Sequence, residues 1–175
     1  MKQADEQKIS FKPKPYMMAT LVLMIAIGAI AGACYIEIFL DVKPCKLCLE
    51  QRYAYYVGIP LIILSLWPLF RYPEKWIGYT LLALVAVIFL AGGALATYHS
   101  GVEWGFWPGP TDCTGNIEQP AALADFLKQL ETVKIVRCDE VAMRIFGQSL
   151  AVWNAVISAA LVVLSGYGVW LKRFV

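Results

Sequence analysis

Charge is what this 175-residue sequence has least of. Asp, Glu, Lys and Arg make up 16% of it against 59% hydrophobic residues, and there is a single histidine. Soluble domains average about 25% charged residues, and a soluble chain this apolar would expose patches large enough to aggregate. The mean hydropathy of +0.61 points to lipid as the solvent. Nucleic acid is excluded as a partner, because the net charge is only +2 and no basic run is interleaved with aromatics as strand binding requires. No internal repeat or low-complexity tract is present, and the length suits one domain.

The charges are missing in blocks. Segments 17–36, 53–70, 76–98 and 145–170 contain no Asp, Glu, Lys or Arg. Each reaches or nearly reaches the ~20 residues that cross a hydrocarbon core of roughly 30 Å. Glycines, Pro60 and Pro68 interrupt them, which membrane helices tolerate. Tyr53, Tyr55, Tyr56, Trp67, Phe70, Trp76, Tyr98 and Trp170 cluster at their ends as an interfacial aromatic belt. The expected fold is an all-α membrane protein. It is a single domain, a four-transmembrane-helix bundle with spans at about 17–38, 50–70, 76–98 and 146–170. A long outer loop, about 99–145, connects the last two spans. Its first part, 99–116, is rich in Gly, Pro and Trp and reads as irregular turns. Residues 119–131 alternate apolar Leu123, Phe126, Leu127 and Leu130 with polar Asp125, Lys128 and Glu131. With Pro120 in the first turn, they read as a short amphipathic helix on the membrane surface or on the bundle's outer ends.

Lys2, Lys8, Lys12 and Lys14 precede the first span, Arg71 and Lys75 join the second to the third, and Lys172 and Arg173 follow the fourth. The opposite side is sparser in positive charge, so both termini are expected in the cytoplasm and the cysteine-bearing loops outside it. In a two-membrane bacterium, outside means the periplasm. The first apolar run exceeds the 7–15 residues of a signal sequence core. Its removal would leave three spans and break the charge balance, so it is read as a retained span despite the Ala31-Gly32-Ala33-Cys34 tetrad.

Five cysteines stand at 34, 45, 48, 113 and 138. The sharpest motif is Pro44-Cys45-Lys46-Leu47-Cys48 ahead of Glu50 and Arg52. A Cys-x-x-Cys pair at a helix start can close a disulfide, and the helix dipole and nearby cations lower a thiol pKa. Half of a zinc site is the competing reading. Zinc wants four ligands, whereas there is no second Cys-x-x-Cys pair and His99 has no companion, so redox chemistry is favoured and no metal is expected. Arg52 lies one turn after Cys48 on the same helix face. It can snorkel to the interface, but beside two thiols, contact with a ligand is the stronger reading. Cys113 and Cys138 lie in the outer loop, where cysteines tend to be oxidised. A bridge between them would be a staple worth roughly 3 kcal/mol or a shuttle pair exchanging with a partner and with Cys45–Cys48. Cys34 reads as a small apolar residue within the first span. His99 ends the third span at the depth of Arg52 and reads equally as a backbone-bonded interfacial residue or as a donor to a carbonyl ligand. Glu37 and Asp41 read as boundary charges.

Four spans, Pro44-Cys45-x-Leu47-Cys48 with Arg52, Tyr98-His99 closing the third span, two loop cysteines, and Gly147-Gln-Ser-Leu-Ala-Val-Trp-Asn154 opening the fourth resemble the disulfide bond formation protein B (DsbB) family. The resemblance covers the chain from about Met17 onward. It implies a quinone-dependent thiol oxidase of the bacterial inner membrane that re-oxidises a periplasmic DsbA-like thioredoxin-fold protein and reduces membrane quinone, ubiquinone ahead of menaquinone. By that resemblance, Cys113 forms the mixed disulfide with the partner and Cys138 is its loop mate. Cys45 and Cys48 accept the electrons, and Cys48 forms the thiolate–quinone charge-transfer species. Arg52 stabilises the thiolate or a quinone oxygen, and His99 sits by the quinone head group. DsbA is a strong oxidant at about −120 mV, so re-oxidising it requires a stronger acceptor, which a high-potential quinone supplies.

Two other readings compete. The vitamin K epoxide reductase family also joins a helix bundle to a Cys-x-x-Cys pair and loop cysteines, but its active pair usually comes late in the chain, and here it precedes the second span. A non-catalytic membrane protein with structural disulfides would tolerate loss of Arg52 and would not react with quinone. A small transporter is disfavoured, because only Arg52 and Glu37 approach the bundle.

Overall fold

The computed structural model describes residues 14–110 and 137–174. Among them, four long helices run α1 (Pro15–Phe39), α2 (Lys46–Arg71), α3 (Trp76–Glu103) and α4 (Leu150–Trp170). Each is long and apolar enough to cross a membrane. Lipid offers no hydrogen bonds to an open backbone, which is why these segments close as helices. Pro15 opens α1 at a position whose N–H has no intrahelical partner to lose. Ser149 caps α4 by accepting from the Val152 N–H at 3.3 Å. Gly105 (φ +74°) stops α3. The N–H of Phe106 bonds Gly101 O at 2.9 Å, and that of Gly105 bonds Val102 O at 3.1 Å, the paired bonds of a Schellman close.

α3 is the central helix, packed against both α2 and α4, while α1 completes the bundle against the same two. The α2–α3 approach is close. A Cβ on Gly92 would stand 2.8 Å from Ala54 Cβ, so glycine lets the two backbones meet. Val22, Ala26, Tyr55, Ile62, Val85, Phe89 and Leu161 form the core at mid-depth, with the Tyr55 and Phe89 rings edge to face at 5.3 Å. Outward, Ile38, Leu64, Trp67, Leu90 and Val163 are exposed, as a lipid-facing surface requires. Lys172 Nζ donates to Glu74 O at 2.6 Å and lies over the Trp76 ring, so the α2–α3 turn and the chain's C-terminal end share one side.

Two details differ from the sequence reading. α3 continues five residues past Tyr98, because nothing before Gly105 breaks it, so His99 stands in the helix rather than at the head of a loop. α4 begins at Leu150, and the residues before it form a two-stranded hairpin, β1 (Arg144–Ile145) with β2 (Gln148–Ser149). Phe146 (φ +50°) and Gly147 (φ +82°) make its turn, with the two left-handed residues such a tight hairpin needs. The bundle is thus helical with one small β element. The amphipathic helix expected at 119–131 and Cys113 lie outside the described residues.

Candidate functional site

The outer end of α2 carries the dithiol. Cys45 is the N-cap of the helix, and its Sγ accepts from the Cys48 N–H at 3.3 Å. The first turn of a helix has N–H groups without partners, and a sulfur placed there is an acceptor for one of them. Cys45 and Cys48 are both free thiols, with their sulfurs 3.0 Å apart. The hydrogen bond from Cys48 holds the Cys45 thiol well below the ordinary thiol range; burial opposes this, and His99 adds to the lowering.

His99 comes from the last turn of α3 and is 2% exposed. Its Nε2 faces Cys45 Sγ at 3.6 Å and Glu103 Oε1 at 3.9 Å. Its Nδ1 meets Gln51 Nε2 at 2.9 Å. Gln51 Oε1 in turn accepts from Asn154 Nδ2 at 2.5 Å, and Asn154 Oδ1 accepts from the Tyr55 hydroxyl at 2.6 Å. Cys138 is 1% exposed and falls in one buried cluster with Cys45 and Leu47. It is disulfide-bonded. Glu103 brings a buried carboxylate whose Oε2 has no hydrogen-bond partner among the described residues.

On the other side of the dithiol lies a cavity of about 410 Å³ between α1, α2, α4 and the hairpin. Cys48, Arg52, Tyr55 and Asn154 line it together with apolar residues such as Ile36 and Trp153. Arg52 donates from Nη1 to Glu37 on α1. Glu37, read from the sequence as a boundary charge, is therefore the counter-ion of Arg52. Cys45 and His99 do not line the cavity. His99 stands against Cys45 and is not among the residues that line this cavity. Cys34 is free and half-buried on α1.

The ligand atoms of Cys45, Cys48 and His99 lie within 4.8 Å of one another, a spacing that a metal ion could also use. Two thiolates on a tetrahedral zinc stand about 3.7 Å apart, given Zn–S bonds of about 2.3 Å. The 3.0 Å between the sulfurs is closer than that. The arrangement suits making and breaking a sulfur–sulfur bond better than holding an ion.

Sequence reading brought Cys45, Cys48, Arg52 and His99 to one end of the bundle and missed Gln51, Tyr55, Asn154, Glu37 and Glu103. Gln51 and Asn154 carried a usable signal, being uncharged polar side chains in otherwise apolar spans at the depth of the cysteines. Glu103 was lost because α3 was ended too early.

A thiol pair at the start of a membrane-length helix, between buried Cys138 and an apolar cavity, is the arrangement that thiol–disulfide exchange would use. Residues 15–168 match the family described as disulfide bond formation protein DsbB, and the chain belongs to that family. It is 30% identical over 158 residues to an uncharacterized protein of Rickettsia prowazekii, covering 89% of this chain and 88% of the relative. It is 28% identical to the disulfide bond formation protein B of Marinobacter nauticus, over 88% of this chain and 90% of the relative. It is 30% identical to disulfide bond formation protein B 1 of Pseudomonas fluorescens, over 87% and 88% respectively. No solved structure matches the chain. Family membership assigns the protein a role in disulfide bond formation.

Proposed function

We propose that the protein is a membrane thiol oxidase that re-oxidises a periplasmic DsbA-like thioredoxin-fold protein and passes the electrons to membrane quinone. The observation that carries this reading is the two-sided placement of the dithiol. Cys48 stands on the cavity wall, while Cys45 lies in the buried cluster that contains Cys138. An electron source and an electron sink thus flank one helical turn.

The cycle starts with a partner thiolate attacking Cys113 of a Cys113–Cys138 disulfide, so that Cys138 leaves as the thiolate. The partner's second thiol displaces Cys113, and the partner departs oxidised. The loop dithiol then exchanges with a Cys45–Cys48 disulfide, attacking at the Cys45 sulfur, and the loop bridge re-forms. Cys45 and Cys48 are left as the dithiol, the form described above. Closing that dithiol again releases two electrons and two protons. A quinone in the cavity supplies the two-electron acceptor and carries them away as quinol.

The chain's own residues prepare the step. The Cys48 N–H and the His99 imidazole face Cys45 and stabilise it as a thiolate. Arg52 directs N–H donors at the cavity, where they suit a carbonyl oxygen or its anion. The cavity volume falls in the range of small-molecule sites, with mostly apolar walls and a few polar groups at one end. A flat ring bearing two carbonyl oxygens and an apolar tail fits that distribution. The shared side of Glu74 and Lys172, together with Arg71, Lys75 and Arg173 at the same helix ends, supports cytoplasmic termini and a periplasmic dithiol in a bacterial inner membrane.

The test is turnover in detergent, with a reduced DsbA-type partner and a soluble ubiquinone analogue, followed by quinone absorbance. Quinone loss that requires both the partner and Cys45 is the expected result. A folded protein that turns over neither ubiquinone nor menaquinone analogues would overturn the reading.

A further inference from the structure

The mechanism above uses Cys45, Cys48, Arg52 and His99 but leaves unexplained a line of polar side chains beside them, with Gln51 buried and Asn154 half-buried at the cavity wall. Tyr55 and Gln51 come from α2, Asn154 from α4 and His99 from α3, so the line ties three helices together. Gln51 is 5% exposed, and both ends of its amide are used. A buried polar network of this kind is costly unless every member is satisfied, so its presence inside an apolar bundle asks for a reason.

Its polarity supplies one. The Tyr55 hydroxyl donates to Asn154 Oδ1, which turns Asn154 Nδ2 toward Gln51 as a donor. Gln51 accepts with Oε1 and therefore presents Nε2 to the imidazole. An amide nitrogen only donates. His99 Nδ1 must accept, and the ring proton of the neutral imidazole then sits on Nε2, the nitrogen that faces Cys45 Sγ. The opposite tautomer would place two N–H groups against each other at Nδ1 and a lone pair against the thiolate at Nε2.

We propose that Gln51, held by Asn154, is a positioning residue that fixes the tautomer of His99, so that the imidazole keeps an N–H aimed at the Cys45 sulfur. The role of a neighbour in setting which ring nitrogen carries the proton is general for histidine. Here it is exerted from the cavity wall, since Asn154 and Tyr55 line the cavity while His99 and Cys45 do not. Gln51 and Asn154 thereby link the cavity to the sulfur on its far side. The inference rests on the proposed oxidase reading for its purpose, but its chemistry concerns Cys45 alone.

The experiment is the pH profile of Cys45 alkylation by iodoacetamide in the reduced, detergent-solubilised full chain, read by mass spectrometry of the Cys45 peptide. The groups facing the Cys45–His99 pair are Cys48 and Gln51 on α2, Glu103 on α3, and Cys138, whose backbone also hydrogen-bonds the imidazole and would by itself hold the ring if the Gln51 amide contributed nothing. All of them stay in place in the Asn154→Ala variant. Gln51→Leu should move the profile's midpoint upward by about one pH unit, a tenfold loss of thiolate at pH values below the midpoint, as expected for losing one hydrogen bond to a charged group. Asn154→Ala, which does not touch Cys45, should move it in the same direction by less. In a His99→Ala background, Gln51→Leu should add nothing, because its effect passes through the imidazole. An unchanged midpoint in both folded single variants, or a Gln51→Leu shift that persists in full without His99, would overturn the proposal. Neither quinone nor partner is present, so failure here leaves the electron route standing, and failure of quinone turnover leaves this result standing.

Discussion

Arg52 on α2 and Glu37 on α1 form an ion pair that joins two helices beside the cavity carrying Cys48. The Arg52 side chain is 14% exposed and that of Glu37 is 37% exposed. The pair therefore orients the guanidinium more than it stabilises the fold, since partly exposed ion pairs contribute at most about 1 kcal/mol. Arg52→Ala should raise the KM for a soluble quinone analogue by roughly tenfold or more, the value of one charge-assisted hydrogen bond, with little loss of thermal stability. Glu37→Gln keeps an acceptor for the guanidinium and removes the competing charge, so its KM should stay level or fall. Steady-state kinetics on the two variants decides the matter; an unchanged KM in Arg52→Ala would remove Arg52 from quinone binding.

Cys45 should react as a thiolate far below the pH at which ordinary cysteines do. Its pKa is lowered in the folded chain, so on acidification it stays deprotonated through the neutral range and gains its proton only well below it. Unfolded cysteine, with a pKa of about 8.5, loses reactivity roughly tenfold per unit across the same range. Alkylation of Cys45 in the native reduced chain should be nearly flat between about pH 6 and 8, while the SDS-denatured chain falls steeply. Cys48→Ser removes the thiol that contributes most to the lowering and should restore part of the slope.

The loop pair and the membrane pair should separate genetically. Cys113→Ser should abolish oxidation of the DsbA-type partner and spare the direct reaction of reduced Cys45–Cys48 with quinone, measured in single turnover. Cys138→Ser should trap a mixed disulfide through Cys113, visible as a partner-sized shift on a non-reducing gel. Full partner oxidation by Cys113→Ser would contradict the shuttle.

Phe146 sits at the hairpin turn with φ +50° and is 92% exposed. A left-handed conformation costs a bulky residue on the order of 1 kcal/mol; the Trp153 ring, 6.5 Å away and edge to face, is the aromatic contact it makes among the described residues. Phe146→Asn, whose side chain tolerates this conformation, should slow amide exchange at Ser149 and Leu150 in detergent by several-fold. Unchanged or faster exchange would show that the ring holds the turn. The Trp153 indole, donating to Ile145 O at 2.9 Å, should keep the hairpin seated in either case.

Much of this site was legible before any coordinates. Charge-free runs of membrane length declared four helices, because a backbone in lipid has few other ways to satisfy its hydrogen bonds. The Pro44–Cys48 motif ahead of a span placed the thiols at a helix start for an equally local reason: an N-cap is defined within four residues. The sequence places the end of α3 too early because residues 99–116, rich in Gly, Pro and Trp, read as irregular turns, and Gly101 is among them. As a residue inside the last turn it closes the Schellman motif instead, and the stop falls at Gly105.

The sequence by itself determined the solvent, the number of spans and the chemistry of the thiols, since these follow from composition, run length and spacing along one chain. Tertiary structure alone decided which side of the dithiol faces what. Cys48 lines a cavity and Cys45 does not, Arg52 on the cavity wall pairs with Glu37 of α1, and His99 stands against Cys45 on a chain of polar side chains reaching Asn154. The physical reason is rotational. A helix's sequence specifies which residues share its face, but the angle at which that face meets its neighbours is set by packing, such as the Gly92–Ala54 approach that brings α2 against α3. Hydrogen bonds between residues 99 positions apart, such as Tyr55 to Asn154, exist only once that angle is chosen.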